Sequence, residues 1–347
     1  MTRLPSTIRS SNKTLFIAAA LAPLIMLPGC GLKDDADGFR GGVPRHEAVE
    51  VNVPGGAQTG SLTAEGGARQ SALLGEKAEY YWLTRTVTGV INTGTFAVLT
   101  LVKTIVNYPA TSVSGDTAVW GPHTEPLSPN TWRLTVTRLE PHKFQYALDA
   151  KAKTAGDSTF KTILAGTHTR AVTAGGLPIE GFGSGTFTAD WDAAQTLPEH
   201  GKEVGKAMFT YSRESLSAKG TVDVVFTGIK EDKTGELFDA VYKYAETPGA
   251  GGDFQYAATQ DYLPDPGNTG TAKEKLTIRS RWQQTGAGRS DVKISGGDLA
   301  ASGTVGTANE CWDSNFGSVY KAQSWLPMGG WGTEASCVFT PAEYSTL

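Results

Sequence analysis

The chain has 347 residues and is weakly acidic, with 31 lysine and arginine side chains against 35 aspartate and glutamate side chains. A chain of this length can bury a sizeable core, either as one large domain or as two smaller ones. Its acidic balance argues against a nucleic-acid-binding protein, because such proteins concentrate positive charge on one face. The 42 glycines, together with abundant threonine and serine, favour many short strands and turns.

The first 29 residues have the layout of a secretory signal peptide. Arg3, Arg9 and Lys13 make a basic start, and residues 15–27 form an uncharged apolar run. This run of 13 residues is short for a membrane-spanning helix, which needs roughly 20 apolar residues. The order of a basic part followed by an apolar part is typical of a signal peptide. We therefore predict that residues 1–29 are removed, which leaves 28 basic and 35 acidic side chains.

The apolar run ends in Leu27-Pro28-Gly29-Cys30, with an aliphatic residue three positions before a cysteine and a small residue directly before it. This segment resembles the lipobox of bacterial lipoproteins. In that family the chain is cut before the cysteine, whose sulfur carries diacylglycerol. The resemblance implies fatty-acyl chains, such as palmitate, on Cys30, and hence the membrane of the cell envelope as a partner. Gly31 is not the aspartate that retains many lipoproteins at the inner membrane, so we expect the outer membrane.

The cysteine count agrees with acylation of Cys30. The chain has three cysteines, and an exported protein with an odd number would leave one thiol unpaired in an oxidising compartment. With Cys30 acylated, Cys311 and Cys337 remain as an even pair. We therefore predict a disulfide between them.

Residues 30–75 are predicted to be a lipidated N-terminus followed by a flexible tether. After Cys30 this segment holds ten glycines and a single aromatic residue, Phe39. Such a composition offers too little apolar surface for stable folding. One part differs, since Val49, Val51 and Val53 alternate as in a short edge strand.

Residues 76–347 are predicted to form a single β-rich domain that begins with a helix over about 79–108. Apolar side chains recur there at steps of three and four residues, and Pro109 ends the pattern. The members of this apolar face include Tyr80, Leu83, Val87, Ile91, Leu101, Val102 and Ile105. A hairpin and a transmembrane helix are the alternatives. The density of threonine and asparagine, together with Lys103, argues against the transmembrane helix.

From Ala118 onward the apolar residues alternate with a period of two. In one run Trp132, Leu134 and Val136 share a face, while the residues between them are polar. Such runs, joined by short turns, predict an antiparallel meander of about 10–12 strands. We expect a soluble, curved barrel or half-barrel packed on the one long N-terminal helix, since the helix gives the dry face of the sheet something to cover. At fold level alone, this is reminiscent of half-barrel envelope lipoproteins that carry lipids or lipoproteins.

The dry face offers a candidate ligand pocket. Wide curved sheets leave interior space, and a mixture of large and small inward side chains can either line a pocket or pack solid. The candidate lining residues are Phe144, Tyr146, Ala240, Tyr242, Tyr244 and Trp282.

No catalytic site, metal site or cofactor is predicted from the sequence. His46, His123, His142, His168 and His200 are scattered, without the spacing of a zinc site, and we expect them in turns or at the surface. The sequence therefore favours a non-enzymatic lipoprotein that binds an apolar ligand, such as a lipid, or an envelope partner, and no nucleic acid. The alternatives are a structural or surface-interaction protein with a filled core, and a hydrolase whose site assembles only on folding.

Overall fold

The structure, a computed structural model, describes residues 36–55, 76–230, 235–262, 272–300, 305–325 and 330–347, all of which belong to one unit. The predicted signal segment, the lipidation residue Cys30 and residues 56–75 of the predicted tether lie outside these ranges. The chain is mainly β, as the sequence predicts.

The strands of the described residues form one antiparallel sheet in which each strand pairs with its neighbours in sequence. The strands are β1 (Ser112–Ser114), β2 (Thr117–His123), β3 (Asn130–Glu140), β4 (Lys143–Ala152), β5 (Lys161–Val172), β6 (Pro178–Asp190), β7 (Lys206–Arg213), β8 (Gly220–Lys230), β9 (Leu237–Thr247), β10 (Gly251–Gln260), β11 (Glu274–Gln283), β12 (Gly288–Gly296), β13 (Gly306–Trp312), β14 (Ser318–Gln323) and β15 (Trp331–Gly332). The helices are α1 (Asp37–Arg40), α2 (Glu79–Val106), α3 (Trp191–Ala194) and α4 (Gly297–Ala300).

The period-two pattern becomes a sheet with one dry face. Along β7 every second side chain is buried and every other one is exposed, because successive strand residues point to opposite faces. The predicted antiparallel meander is thus confirmed. The described residues hold 15 strands where about 10–12 were expected. The difference comes from short strands such as β1 and β15, and from glycine- and threonine-rich strands such as β5, whose alternation is weak.

The sheet is open, so the closed-barrel form of the prediction is wrong. Within the described residues β1 pairs only with β2, and β15 pairs only with β14. Closing a barrel requires the first and last strands to pair along their length. Here the two edge strands have three and two residues, which also keeps the exposed edges short.

Helix α2 has 28 residues and contacts the dry face of the sheet. Near its start, the Thr84 hydroxyl lies 2.6 Å from the Ser280 hydroxyl of β11, and the Tyr80 backbone N–H donates to Glu310 of β13 at 2.8 Å. Toward its end Val102 is fully buried within the cluster of strand side chains. None of the helices in the described ranges combines the length and the hydropathy of a transmembrane span.

Residues 36–55, which we call the N-terminal strap, are packed against the sheet, so the prediction of a flexible tether is wrong for this part. Phe39 is 3 % exposed and Val51 is fully buried. The Arg45 backbone N–H donates to Gly181 of β6, and the Asn52 backbone N–H donates to the Tyr244 hydroxyl of β9. The strap therefore runs across several strands and covers the dry face together with α2.

The valines of the strap do not form the expected edge strand. The Asn92 side chain of α2 accepts from the Val51 N–H at 2.9 Å and donates to the Val51 carbonyl at 2.7 Å. A side-chain amide has the donor and acceptor of a peptide group, so it satisfies this backbone as a strand would. The alternation of the valines therefore reflects burial against α2 and the sheet without strand pairing.

Candidate functional site

The predicted pocket residues lie buried on the dry face. All six are between 0 and 3 % exposed, and they are spread over β4, β9 and β11. Phe144 packs edge-on against Phe39 of the strap with ring centres 6.4 Å apart, and Tyr244 stacks on Trp282 at 6.3 Å. Two surface grooves among the described residues are lined by none of the six. The protein's own side chains therefore fill the region of the predicted pocket.

A buried polar cluster lies within the same core. His168 on β5 is fully buried, contrary to the expectation of a turn or surface position, and its Nδ1 lies 2.8 Å from the Tyr211 hydroxyl of β7. Gly185 of β6 stands between them, and a Cβ there would come within 2.7 Å of that hydroxyl. A glycine on the middle strand thus allows the two side chains to meet.

The cluster is electrically neutral. Burial, and then the charge of Arg170, lower the pKa of His168 to about 4. Burial raises the pKa of the Tyr146 and Tyr211 hydroxyls above their usual value. The cluster can therefore donate and accept hydrogen bonds, but it presents neither an ionised nucleophile nor a charged general acid near neutral pH.

Two arginines lie where the dry face meets the surface, at the ends of β3 and β5. Arg138 and Arg170 flank the Phe144 ring, with their guanidinium carbons 5.9 and 4.7 Å from its centre. Arg138 also lies 4.6 Å from the centre of the Phe39 ring. Two adjacent grooves open beside them, of about 490 and 370 Å³, and both are lined by Arg170. We call these the larger and the smaller basic groove.

Neither guanidinium has a close carboxylate partner in the described part of the chain. The nearest carboxylate oxygen to Arg138 belongs to the exposed Asp116, at 4.0 Å. Arg170 makes only a long hydrogen bond, 3.5 Å, to the Pro141 carbonyl, and its buried Nε has no partner. Burial, and then the charge of Arg138, lower the pKa of Arg170. The two positive charges are thus adjacent and incompletely neutralised.

The other acids that line the grooves, Asp37, Glu140 and Glu180, already have partners, and Asp37 lies 3.6 Å from Arg40. Glu180 of the smaller groove accepts from Lys103 at 2.7 Å and from Arg45 at 2.8 Å. Hydrogen bonds from these two cations lower the pKa of Glu180 to about 2. Glu140 of the larger groove lies 3.3 Å from Lys143. Little negative charge is therefore left for Arg138 and Arg170.

The glycines of the strap create this arrangement. A Cβ on Gly38 would lie 2.7 Å from Nη2 of Arg138, and a Cβ on Gly41 would lie 3.0 Å from Nη1 of Arg170. The strap can pass this close to both guanidiniums because these positions carry no side chain. One feature of the sequence indicates the site. Arg138 follows the buried Val136 by two residues, and Arg170 follows the buried His168 by two residues. Both arginines therefore belong to the inward-facing set of their strands.

The predicted disulfide is confirmed, and it lies at the other end of the sheet. Cys311 of β13 and Cys337 are joined with an S–S distance of 2.06 Å. The bond holds the C-terminal segment, residues 330–347, against β11–β13. There the Ser345 hydroxyl donates to Gln255 of β10, and the Tyr344 hydroxyl lies 3.3 Å from Asn309 of β13.

Under this segment lies a second group of arginines, whose charges are matched by acids although the buried Arg281 Nε and Arg289 Nη2 have no hydrogen-bond partner among the described residues. Asp291 of β12 binds Arg281 at 3.0 Å and Arg289 at 2.6 Å. Glu343 lies 2.6 Å from Arg281, and Glu334 lies 2.7 Å from Arg289. Burial lowers the pKa of Arg289, but hydrogen bonds to Asp291 and Glu334 outweigh it and raise that pKa.

No protein-family model, curated protein or solved structure matches the chain. Within the described ranges, no three side chains of histidine, cysteine, aspartate or glutamate lie close enough together to hold a metal ion. The basic grooves are the place where described residues combine an accessible concavity with charge that the protein does not neutralise.

Proposed function

We propose that the protein is a non-enzymatic lipoprotein of the bacterial cell envelope that binds an anionic envelope component at Arg138 and Arg170. One observation carries this proposal: two half-buried guanidiniums line the larger groove, and among the described residues their one ion-pair partner is the exposed Asp116, 4.0 Å from Arg138. Arginines that serve structure alone are expected to be matched by acids, since an unmatched, partly buried charge lowers stability. A surplus of guanidinium donors therefore favours an external carboxylate or phosphate.

In this proposal the membrane anchor is Cys30, which becomes the first residue once residues 1–29 are removed. Its support remains the likeness of residues 27–30 to a lipobox, together with the even pair that the remaining cysteines form. Ala36, where the strap begins, follows Cys30 by six positions, and a chain of that length spans at most about 20 Å. An acylated Cys30 would thus keep the sheet close to the leaflet, and Gly31 favours the outer membrane over the inner one.

A surface ligand is better supported than an apolar ligand inside the sheet. The candidate pocket residues are packed against one another and against the strap, whereas the prominent grooves lie at the surface. The open meander, whose dry face is covered by α2 and the strap, still supports the fold-level likeness to half-barrel lipoproteins. The likeness concerns the architecture alone, because in this chain the strap packs over the dry face.

The anchor is tested by phase partition of the native protein and of Cys30→Ser. We expect the native protein in the detergent phase, because several acyl chains exceed what stable anchoring requires, and the variant in the aqueous phase. Mass spectrometry of the native N-terminal peptide should show diacylglycerol on Cys30. A Cys30→Ser protein that stays in the detergent phase would contradict the anchor.

The binding function is tested with the Cys30→Ser protein and isolated envelope membranes. We expect sedimentation with the membranes that weakens as salt is added, since binding through exposed charges is screened. The Arg138→Gln/Arg170→Gln double variant should remain in the supernatant. A matched control, Lys243→Gln/Lys275→Gln, removes the same charge from exposed positions on β9 and β11 and should sediment normally. Equal sedimentation of the two double variants would refute the assignment of the binding function to the grooves.

A further inference from the structure

The chemistry of the larger groove suits an oxyanion such as a phosphate ester. Each guanidinium has several N–H donors in a planar fork, and the two free oxygens of a phosphate diester can accept from such forks. Arg138 and Arg170 both line the larger groove, with guanidinium carbons 5.9 and 4.7 Å from the centre of the Phe144 ring. A carboxylate can also bridge two guanidiniums, as Asp291 does, so the rim of the groove decides between the two anions.

The rim of the grooves favours a phosphate that belongs to a lipid. Leu139, near the end of β3, lines the larger groove and is 48 % exposed. At the β5–β6 turn Leu177 is 70 % exposed, directly before Pro178 of the smaller groove, and Val172 opposite Pro178 is 44 % exposed. Exposed apolar side chains that surround a basic site mark a surface that enters the headgroup region of a bilayer.

The position of the grooves along the chain agrees with a membrane-facing surface. Gly38, which lines the larger groove, follows Cys30 by eight residues, and a chain of that length spans at most about 28 Å. Tyr108, 54 % exposed, adjoins Asn107 of the smaller groove, and tyrosine is enriched where proteins meet the membrane interface. Anionic lipid attracts each basic side chain near its surface.

We propose that Arg138 and Arg170 bind the phosphate of an anionic phospholipid headgroup, with Leu139 and Leu177 inserted among the neighbouring lipids. This proposal rests on the proposed function for the identity of the site, and it names the ligand of that site. The strap would then lie between the leaflet and the sheet, and the grooves would hold the sheet in one orientation on the membrane.

The test uses the Cys30→Ser protein, so that binding does not depend on acyl chains, and vesicles of phosphatidylcholine with and without phosphatidylglycerol. We expect sedimentation only with the vesicles that contain phosphatidylglycerol. The Arg138→Gln/Arg170→Gln variant should lose at least roughly tenfold in affinity, given the attraction of anionic lipid for each basic side chain. The Lys243→Gln/Lys275→Gln control should stay within about twofold of the parent. Thermal unfolding of each variant verifies that it is folded.

A second pair of variants separates the lipid from free phosphate. Leu139→Ser/Leu177→Ser leaves the charge unchanged and should also weaken vesicle binding, while titration with inorganic phosphate alone should be unaffected. Binding of inorganic phosphate without binding of vesicles would overturn the proposal, as would equal binding to both vesicle types or a double arginine variant that binds like the parent. If the parent binds envelope membranes but not the phosphatidylglycerol vesicles, the phospholipid fails and the proposed function stands. If it binds neither, both fail.

Discussion

Two pairs of arginines occupy this sheet, and they differ in how their charge is balanced. Arg281 and Arg289 lie directly opposite each other on β11 and β12, and Asp291 binds both of them. Arg138 and Arg170 lie on β3 and β5, with a single carboxylate at 4.0 Å from one of them. A nearby like charge disfavours the charged form of a side chain, whereas an acid or a bound anion favours it.

The two pairs also differ in what covers them. Arg289 is fully buried beneath the C-terminal segment, which brings Glu334 and the Phe339 carbonyl to it and is fixed by the disulfide. Arg138 is 34 % exposed beside a groove, under a strap whose glycines carry no acid to it. The matched pair therefore stabilises the fold, whereas the charge of Arg138 and Arg170 is only partly balanced beside the grooves.

The largest expected effect follows from removing the acid of the matched pair. Asp291→Asn should lower the free energy of unfolding by about 3–5 kcal/mol, because it leaves two guanidiniums buried without their shared carboxylate. Urea unfolding measures the change. Asp116→Asn is the matched control at the other pair, and there we expect less than about 1 kcal/mol, since Asp116 is 72 % exposed and 4.0 Å from Arg138. Equal losses in the two variants would show that charge matching does not distinguish the pairs.

The next largest effect concerns the Cys311–Cys337 disulfide, which fixes the C-terminal segment over Arg289. Cys311→Ala/Cys337→Ala should lower the free energy of unfolding by about 3.5 kcal/mol, by the chain-entropy relation for a loop with a sequence separation of 26. Unfolding of the native protein with and without a thiol reductant provides the parallel measurement. Vesicle binding at the basic grooves should not change while the variant is folded. A double alanine variant as stable as the native protein would mean that the ion network alone holds the C-terminal segment.

The smallest effect is a pH dependence next to the unmatched pair. The pKa of His168 is about 4 in the folded protein and about 6.5 in an unfolded chain. Between these values the unfolded chain takes up a proton that the folded protein does not, so the stabilisation is complete above pH 6.5 and falls as the pH is lowered toward 4. The loss amounts to at most about 3 kcal/mol.

Two variants sharpen this measurement. His168→Gln should flatten the pH dependence of the unfolding free energy between pH 6.5 and 4. Arg170→Gln removes the second cause of the low pKa, so the pKa of His168, followed by NMR of the imidazole, should rise. An unchanged pKa in Arg170→Gln would indicate that the charge of Arg170 is already neutralised, which contradicts the description of this pair as unmatched.

The sequence by itself determined the local features. The alternation of apolar and polar residues along each run predicts an antiparallel meander with one dry face, because successive side chains of a strand point to opposite faces of the sheet. The three- and four-residue spacing over 79–108 is also a local pattern. It predicts a helix, which the structure places at residues 79–106 as α2. The pairing of Cys311 with Cys337 followed from the cysteine count. Acylation of Cys30 stays a prediction of the same local kind.

Only the tertiary structure decided what meets across the sheet. The hydrogen bond between Asn52 and Tyr244 joins residues 192 positions apart, and it docks a strap whose glycine content predicts flexibility. The burial of His168 depends on a glycine in the next strand, and the opposite charge balance of the two arginine pairs depends on which acids the C-terminal segment and the strap bring to them. A composition or a period carries no information on such long-range contacts, since each depends on the register of many strands at once.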